Sequence, residues 1–269
     1  MRGIRKLSVL LPRWILPAPE SVGNHILETL HGFSLVIDPS VDKGVEHSLF
    51  ETGTYEKGIL HFIKNNFKPD GCFVDVGANI GLMSIFAATK FPNSTVIAYE
   101  AHPNTVKILN ENIRLNKVKN IEVHASALSN EAGNVAIFDN WEVNRGGASI
   151  KVNKGQSDSH QVSCDLLDSF ASIAPTMLKI DVEGAELEVL QGAKGKIETY
   201  RPTLIIEISK GRDQSDESKD IYDFVNSFGF YSLYKLKGGK ERVSKLVPIL
   251  SLADLPDHDN IICIPQGSF

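Results

Sequence analysis

The chain has 269 residues, of which 42% are hydrophobic and 23% are charged, so it can bury a core of ordinary size. Its formal net charge of -5 and pI near 5.9 argue against a nucleic-acid substrate, because binding to a phosphate backbone needs a basic face. Three widely spaced cysteines without a CxxC pair argue against a disulfide framework or a zinc site and fit a cytoplasmic protein.

The first twenty residues form a basic and apolar arm that is interrupted by prolines. Pro12 and Arg13 break the apolar run that a signal peptide would need. The chain also lacks the roughly twenty consecutive apolar residues of a spanning helix, so we expect no transmembrane segment. Peripheral membrane contact through the arm stays open, and we expect the arm to be dispensable for folding.

The sequence predicts an N-terminal extension over residues 1–50, with a short strand at 33–37, followed by one domain over residues 51–269. An amphipathic helix is predicted over 55–66. Strands are then predicted at 72–76, 95–99, 121–127, 177–180, 204–208, 230–236 and 261–264. Helices are predicted at 80–90, 104–115, 185–193 and 221–228.

A break in this alternation spans residues 133–164, where short segments around a turn at 146–147 and a polar loop at 153–160 predict an antiparallel insert. Elsewhere, strands that alternate with helices predict an α/β fold. We expect a doubly wound, mostly parallel, Rossmann-like sheet of seven strands with an antiparallel edge. In such folds ligands bind outside the carboxyl ends of the strands.

The segment from Asp75 to Gly81 has the pattern of a strand, a glycine turn and a helix. Gly77 permits a tight turn and close approach of a ligand to the backbone, and Gly81 permits close packing of the helix on the strand. The G-x-x-x-G spacing differs from the G-x-G-x-x-G of dinucleotide-binding turns, which argues against a nicotinamide dehydrogenase. Asp75 would repel a pyrophosphate and suits a ligand with an ammonium group, while Asn79 offers hydrogen bonds in the same turn.

Glu100 ends the second predicted strand, 19 residues after Gly81. A carboxylate at this position can accept hydrogen bonds from both ribose hydroxyls of an adenosine.

These features resemble the FkbM family of S-adenosylmethionine-dependent methyltransferases over roughly residues 50–210. The matching stretches are Phe73-Val-Asp-Val-Gly-Ala-Asn-Ile-Gly81, Gly53-Thr-Tyr-Glu56, Ala127-Leu-Ser-Asn130, Leu167-Asp-Ser-Phe170, Leu178-Lys-Ile-Asp-Val-Glu-Gly-Ala-Glu186 and Arg201-Pro-Thr-Leu-Ile-Ile-Glu-Ile208, with the closing residues 260–265. Two positions depart from the family pattern. Ala101-His102 separates Glu100 from the proline that commonly follows it, and Asp165-Leu166 stands where a threonine commonly precedes the Leu-Asp pair.

The resemblance implies a class I methyltransferase fold and methyl transfer to oxygen, usually a hydroxyl of a sugar, a glycolipid or a secondary metabolite. The partner would therefore be a small molecule or a glycan. Residues expected to bind S-adenosylmethionine are Glu56, Asp75, Gly77, Ala78, Asn79, Gly81, Glu100, Ala101, Ser126 and Ala127.

Three further carboxylates are expected at the strand tips, where the transferred methyl group would lie: Asp181, Glu183 and Glu207. A hydroxyl acceptor must lose its proton as it attacks, so we expect catalytic roles for all three. For Asp181 the favoured role is contact with cofactor or substrate near the sulfonium. Asp181 and Glu207 could instead hold Mg²⁺, or the carboxylates could bond only to neighbouring turns.

Two other functions compete with O-methylation. Methylation of base nitrogens is disfavoured, because the loop after the fourth strand reads Asp181-Val-Glu-Gly184 rather than Asn/Asp-Pro-Pro-Tyr/Phe. Methylation of an amine on a small molecule or a protein stays open. A non-catalytic domain that binds the cofactor is disfavoured by the intact acidic cluster.

Overall fold

The computed structural model describes residues 24–138, 159–209 and 217–267. The predicted arm, the turn at 146–147 and most of the polar loop at 153–160 lie outside these residues. The strands are β1 (His25–Glu28), β2 (Ser34–Ile37), β3 (Cys72–Val76), β4 (Thr95–Tyr99), β5 (Ile121–His124), β6 (Ala127–Leu128), β7 (Gly133–Phe138), β8 (Ser159–Asp165), β9 (Met177–Ile180), β10 (Thr203–Ser209), β11 (Tyr231–Leu236), β12 (Leu246–Pro248) and β13 (His258–Pro265). The α-helices are α1 (Val45–Thr52), α2 (Lys57–Asn66), α3 (Leu82–Lys90), α4 (Pro103–Asn116), α5 (Glu186–Gly192), α6 (Lys194–Tyr200) and α7 (Glu217–Ser227).

The central sheet has the order β12-β11-β13-β10-β9-β3-β4-β5. Strands β10, β9, β3, β4 and β5 are mutually parallel, whereas β13 is antiparallel to both β10 and β11. This arrangement confirms the predicted doubly wound sheet with an antiparallel edge. Within the described residues the sheet has eight strands rather than the predicted seven, because the three-residue strand β12 adds to the edge of β11.

The core lies on both faces of this sheet because consecutive strand residues point to opposite sides. Phe73 belongs to a cluster with Ile59 of α2 and Ile85 of α3. Its neighbour Val74 belongs to a second cluster with residues of α5, α6 and α7. The two layers of helices cover the faces of the sheet and leave the carboxyl ends of its parallel strands uncovered.

The predicted strand at 121–127 is two strands in different sheets. Strand β5 ends at His124, and β6 begins at Ala127 and pairs with β8 in a separate three-stranded sheet, β6-β8-β7. Strands β7 and β8 of this small sheet are antiparallel and lie in the region where the sequence predicts an antiparallel insert. The break places Ser126 between the two sheets.

A hairpin of β1 and β2 packs on the domain together with α1. In this region the sequence predicted only the strand at 33–37. Leu27, Leu35 and Leu49 belong to the same core cluster as helices α2 and α3. Asn112 Oδ1 accepts a hydrogen bond from the backbone N–H of Val36 at 2.6 Å. The division of the chain at residue 50 stays a prediction. Within the described ranges, no helix is long and apolar enough to cross a membrane.

Candidate active site

A cleft of about 1250 Å³, measured with its open mouth, lies at the carboxyl ends of the parallel strands. Its walls include every predicted site residue except Gly81. The strand order of the sheet determines the order of these residues across the cleft. They are Glu207 on β10, Asp181 after β9, Gly77 after β3, Glu100 after β4 and Ser126 after β5. At about 4.8 Å per strand, Glu207 and Glu100 lie roughly 14 Å apart across the cleft floor.

The turn at residues 77–81, here called the glycine turn, is closed by backbone contacts that leave no room for a side chain at its first position. Gly77 has φ +81°, and a Cβ on it would lie 1.8 Å from the carbonyl oxygen of Asp181. The backbone N–H groups of Gly77 and Ala78 both donate to the carbonyl of Tyr99, at 3.0 and 2.9 Å. The turn is therefore fixed between the tips of β4 and β9.

Gly81 does not line the cleft, so the structure does not place it for the predicted contact with a ligand. It has φ +94°, and a Cβ would lie 2.5 Å from Cδ1 of Leu109. Gly81 allows α3 to begin close to α4. This is the packing role that its position after the turn also predicts.

Glu100 is held at the tip of β4 by the backbone on both sides. Its Oε2 accepts a hydrogen bond from the N–H of Asn79, and its Oε1 accepts one from the N–H of His102, both at 2.8 Å. Burial raises the pKa of Glu100 to about 6, although these two hydrogen bonds lower it. Each oxygen keeps a second lone pair, so the carboxylate can still accept from a diol in the cleft.

Asp75 lies under the glycine turn and is buried. Its Oδ2 accepts from the Ser84 hydroxyl at 2.6 Å, whereas its Oδ1 is buried without a partner among the described residues. Burial raises the pKa of Asp75 despite the nearby Lys179 ammonium. The cleft therefore contains a buried acceptor that is ready for a donor or a cation.

Beyond Asp75 the cleft ends in a group that we call the charged cluster: Glu56, Asp181, Glu207, Lys179 and Lys240. Oxygens of the three carboxylates lie within 4.8 Å of one another. Lys179 Nζ is 2.7 Å from Asp181 Oδ2, and Lys240 Nζ is 3.1 Å from Glu56 Oε1 and 2.5 Å from Glu207 Oε1. Two lysine ammonium groups thus balance the carboxylates that the sequence suggested as Mg²⁺ ligands, and the comparisons below add no support for magnesium.

The carboxylates at these tips have different proton affinities. Burial raises the pKa of Asp181, but the Lys179 ammonium and a hydrogen bond with Glu207 outweigh it, so the pKa is lowered. Burial and the charge of Asp181 raise the pKa of Glu207. Glu183 stands in the following turn with φ +57°, where burial and the charges of Asp181 and Glu186 raise its pKa to about 7.

Glu186 has a structural role in the same turn. Its Oε1 accepts from the backbone N–H of Val182 at 3.0 Å and of Gly184 at 3.2 Å. At the other end of the cleft, Ala101, Ser126 and Ala127 line the wall beside Glu100. The small sheet adds Ile137 to that wall.

Two lysines of the charged cluster were not predicted as site residues. Lys179 had a visible signal, since it is a charged residue inside the otherwise apolar strand β9 and is buried. Lys240 had none, because it follows Gly238-Gly239 in a loop far along the chain from Glu56.

Comparison with known proteins identifies the family. Residues 75–231 match the model of the methyltransferase FkbM domain. The chain belongs to this family. Membership confirms the predictions of a class I methyltransferase fold and of an S-adenosylmethionine-dependent methyltransferase. Glu56 and Lys240 lie outside the matched segment.

The relatives extend this result. The chain is 29% identical over 170 residues to Methyltransferase 1 of Beauveria bassiana, covering 54% of this chain and 68% of that protein. It is 29% identical over 165 residues to the hexuronic acid methyltransferase AglP of Haloferax volcanii, covering 61% and 66%. A solved structure of methyltransferase FkbM from Methylobacillus flagellatus KT superposes with a TM-score of 0.50 at 19% identity, covering 73% of this chain and 44% of that chain. The last comparison supports the fold alone.

Proposed function

We propose that the protein transfers the methyl group of S-adenosylmethionine to a hydroxyl of a sugar or a similar polyhydroxylated small molecule. The observation that carries this proposal is one continuous cleft with two chemically different ends. The glycine turn and Glu100 form one end, and the charged cluster forms the other. Ala101, Ser126 and Ala127 would contact the adenosine end of the cofactor.

The residues present fit this cofactor. S-adenosylmethionine carries an ammonium group, a ribose diol and a sulfonium, and when bound it supplies the methyl group. The cleft offers buried acceptor atoms without partners among the described residues at Glu56 Oε2, Asp75 Oδ1 and Asn79 Oδ1. An unpaired buried acceptor costs about 1–3 kcal/mol, so a ligand that donates to these atoms recovers that cost.

The charged cluster supports oxygen as the acceptor. An alkyl hydroxyl needs a base to take its proton during attack, and a carboxylate can be that base and can also accept hydrogen bonds from neighbouring hydroxyls. Glu183, Glu207 and Asp181 offer these groups at one end of the cleft. Similarity to a hexuronic acid methyltransferase favours a sugar among polyhydroxylated acceptors.

Methylation of an amine is the alternative. The chain is 38% identical over 96 residues to the ribosomal protein L11 methyltransferase of Caldanaerobacter subterraneus, but this covers only 29% of that protein. Incubation with methyl-labelled S-adenosylmethionine and a panel of monosaccharides, uronic acids, glycosides, amines and ribosomal proteins separates the two. We expect label on a hydroxyl-bearing carbohydrate. Label on amines or protein alone would contradict the O-methyltransferase proposal.

Substitution of Glu100 tests the proposed ribose contact. Loss of a charged hydrogen-bond partner costs about 1.5–3 kcal/mol for each hydroxyl, so Glu100→Ala is expected to raise the Kd of S-adenosylhomocysteine at least about tenfold. Calorimetry measures the Kd, and circular dichroism checks the fold. Glu122→Ala is the matched control, because Glu122 lies on the neighbouring strand β5 with its side chain 64% exposed. Equal affinity of both variants would remove the ribose assignment.

The same carboxylate predicts a pH dependence of binding. Burial raises the pKa of Glu100 to about 6, so the carboxylate is ionised above that pH and protonated below it. Hydroxyl donors favour the ionised form. Affinity for S-adenosylhomocysteine should therefore fall as the pH drops from about 7 to below 6. In Glu100→Gln this fall should be absent, and a persistent fall would assign the titration to another group.

A further inference from the structure

Three carboxylates meet in the charged cluster at a spacing at which their negative charges repel one another unless nearby cations or a shared proton offset them. Oxygens of Glu56, Asp181 and Glu207 lie within 4.8 Å of one another. The side chains of Glu56 and Glu207 are only 2% and 6% exposed, so water screens their repulsion poorly. Such a set of oxygens is also what Mg²⁺ or Mn²⁺ binds.

Lys240 places its ammonium against two of these carboxylates. Its Nζ is 3.1 Å from Glu56 Oε1 and 2.5 Å from Glu207 Oε1, and its side chain is 12% exposed. Lys179 pairs with the third carboxylate, Asp181. Burial lowers the pKa of Lys240, but the charges of Glu56 and Glu207 raise it more, so the ammonium stays charged at neutral pH.

The backbone of Lys240 is fixed to the domain, unlike that of a surface lysine. Its N–H donates to Asp259 Oδ1 at 3.0 Å, and its carbonyl accepts from the N–H of Gly58 at 2.7 Å. The next residue, Glu241, accepts from the N–H of Glu56 at 3.1 Å. The contact with α2 is so close that a Cβ on Gly58 would lie 2.6 Å from the carbonyl oxygen of Arg242.

We infer that Lys240 is the resident cation of the charged cluster: its ammonium takes the place of a divalent metal ion and holds Glu56 and Glu207 in position. The effect of Lys240 on turnover rests on the proposed function, because it requires a methyl acceptor. The competition of Lys240 with a metal ion does not depend on that function. Lys240 lies outside the segment matched by the family model, as does its partner Glu56. The carboxylates then remain available as hydrogen-bond acceptors on the sides that face the cleft.

Binding of Mn²⁺, followed by electron paramagnetic resonance, tests this inference without an acceptor. The variant is Lys240→Met, which removes the charge and keeps the length of the side chain. The matched control is Lys237→Met, which removes the same charge from an exposed position of the same loop. We expect Lys240→Met to bind Mn²⁺ at least about tenfold more tightly than the native protein and Lys237→Met, because a competing unit charge is gone.

Equal Mn²⁺ affinity of Lys240→Met and the native protein would overturn the inference. So would tight Mn²⁺ binding by the native protein that Glu207→Gln abolishes. If Lys240→Met does not fold, Gly58→Ala gives the second test, since it displaces the loop and leaves every charge in place. Gly58→Ala should also bind Mn²⁺ more tightly than native protein, and an unchanged affinity would count against the inference.

Turnover distinguishes failure of this inference from failure of the proposed function. With a carbohydrate acceptor, native activity should survive EDTA, and Lys240→Met should lose turnover by a larger factor than the factor by which its affinity for S-adenosylhomocysteine falls. Native activity that EDTA abolishes and Mn²⁺ restores would overturn the role of Lys240 but keep the methyltransferase. Absence of label transfer to any carbohydrate would overturn the acceptor proposal and leave the Mn²⁺ result standing.

Discussion

Replacement of Gly77 by alanine is expected to lower the free energy of unfolding by about 2–5 kcal/mol, the sum of left-handed backbone strain and overpacking. Gly77 has φ +81°, and the new Cβ would lie 1.8 Å from the carbonyl oxygen of Asp181. The carbonyl oxygen belongs to the backbone and the position of the Cβ is fixed by the backbone, so no side-chain rotation can relieve the clash. Urea unfolding followed by circular dichroism measures the change.

The same substitution should also abolish measurable binding of S-adenosylhomocysteine. To make room, the turn must move away from the tip of β9, and Asp181 and the glycine turn line the same cleft. Calorimetry on folded protein tests this expectation. Retention of native affinity would mean that the turn can shift without loss of the cofactor site.

Gly229 supplies the matched control. It has φ +70°, but a Cβ on it would meet nothing within 4 Å. Gly229→Ala should therefore show the backbone strain alone, about 1–2 kcal/mol, with unchanged affinity for S-adenosylhomocysteine. Equal losses of stability in the two variants would contradict the expectation that the clash with Asp181 adds to the backbone strain.

The cofactor side of the cleft was predictable from sequence because its signals are local. The order strand, glycine turn, helix occupies residues 72–90, and Glu100 ends the next strand. Parallel connectivity then brings both strand tips to one edge. The same logic brought Asp181 and Glu207 together, since β9 and β10 are neighbours.

The place of Lys240 on the other side of the cleft could not be predicted because its contacts span the whole chain. Glu56 and Lys240 are 184 positions apart, and their meeting depends on how the loop after β11 packs against α2. Glu56 was expected at the site from the stretch at residues 53–56, but no local pattern pairs it with Lys240. The break after His124 was missed for a related reason, since pairing of Ala127 with Cys164 moves the chain into a second sheet.

The second large effect is expected on turnover. Glu183→Gln should lower turnover by about 10²–10⁴-fold, the usual contribution of general-base assistance. Glu183 lines the cleft, and burial together with the charges of Asp181 and Glu186 raises its pKa to about 7. A group with this pKa is half ionised at neutral pH and accepts a proton well. Turnover is measured with methyl-labelled cofactor and the acceptor found by label transfer.

Dependence of turnover on pH separates Glu183 from Asp181. Native turnover should fall as pH drops below about 7, because the protonated carboxyl of Glu183 accepts no proton. Asp181→Asn should also lower turnover, by a similar order, while its affinity for S-adenosylhomocysteine changes far less. It should keep the fall, because Glu183 is still present, but the fall should move to lower pH, because the charge of Asp181 is one of the causes that raise the pKa of Glu183.

Glu183→Gln alone should lose this pH dependence. Glu198→Gln is the control, because it removes a carboxylate that is 54% exposed and does not line the cleft. Full activity of Asp181→Asn would leave Asp181 a structural carboxylate. A Glu183→Gln variant that keeps both its turnover and its pH dependence would require another base, and Glu207 would be next, since the hydrogen bonds of Asp181 and Lys240 hold it in the same cluster. Because all three substitutions replace a carboxylate by its amide, differences among them report charge and proton transfer rather than lost volume.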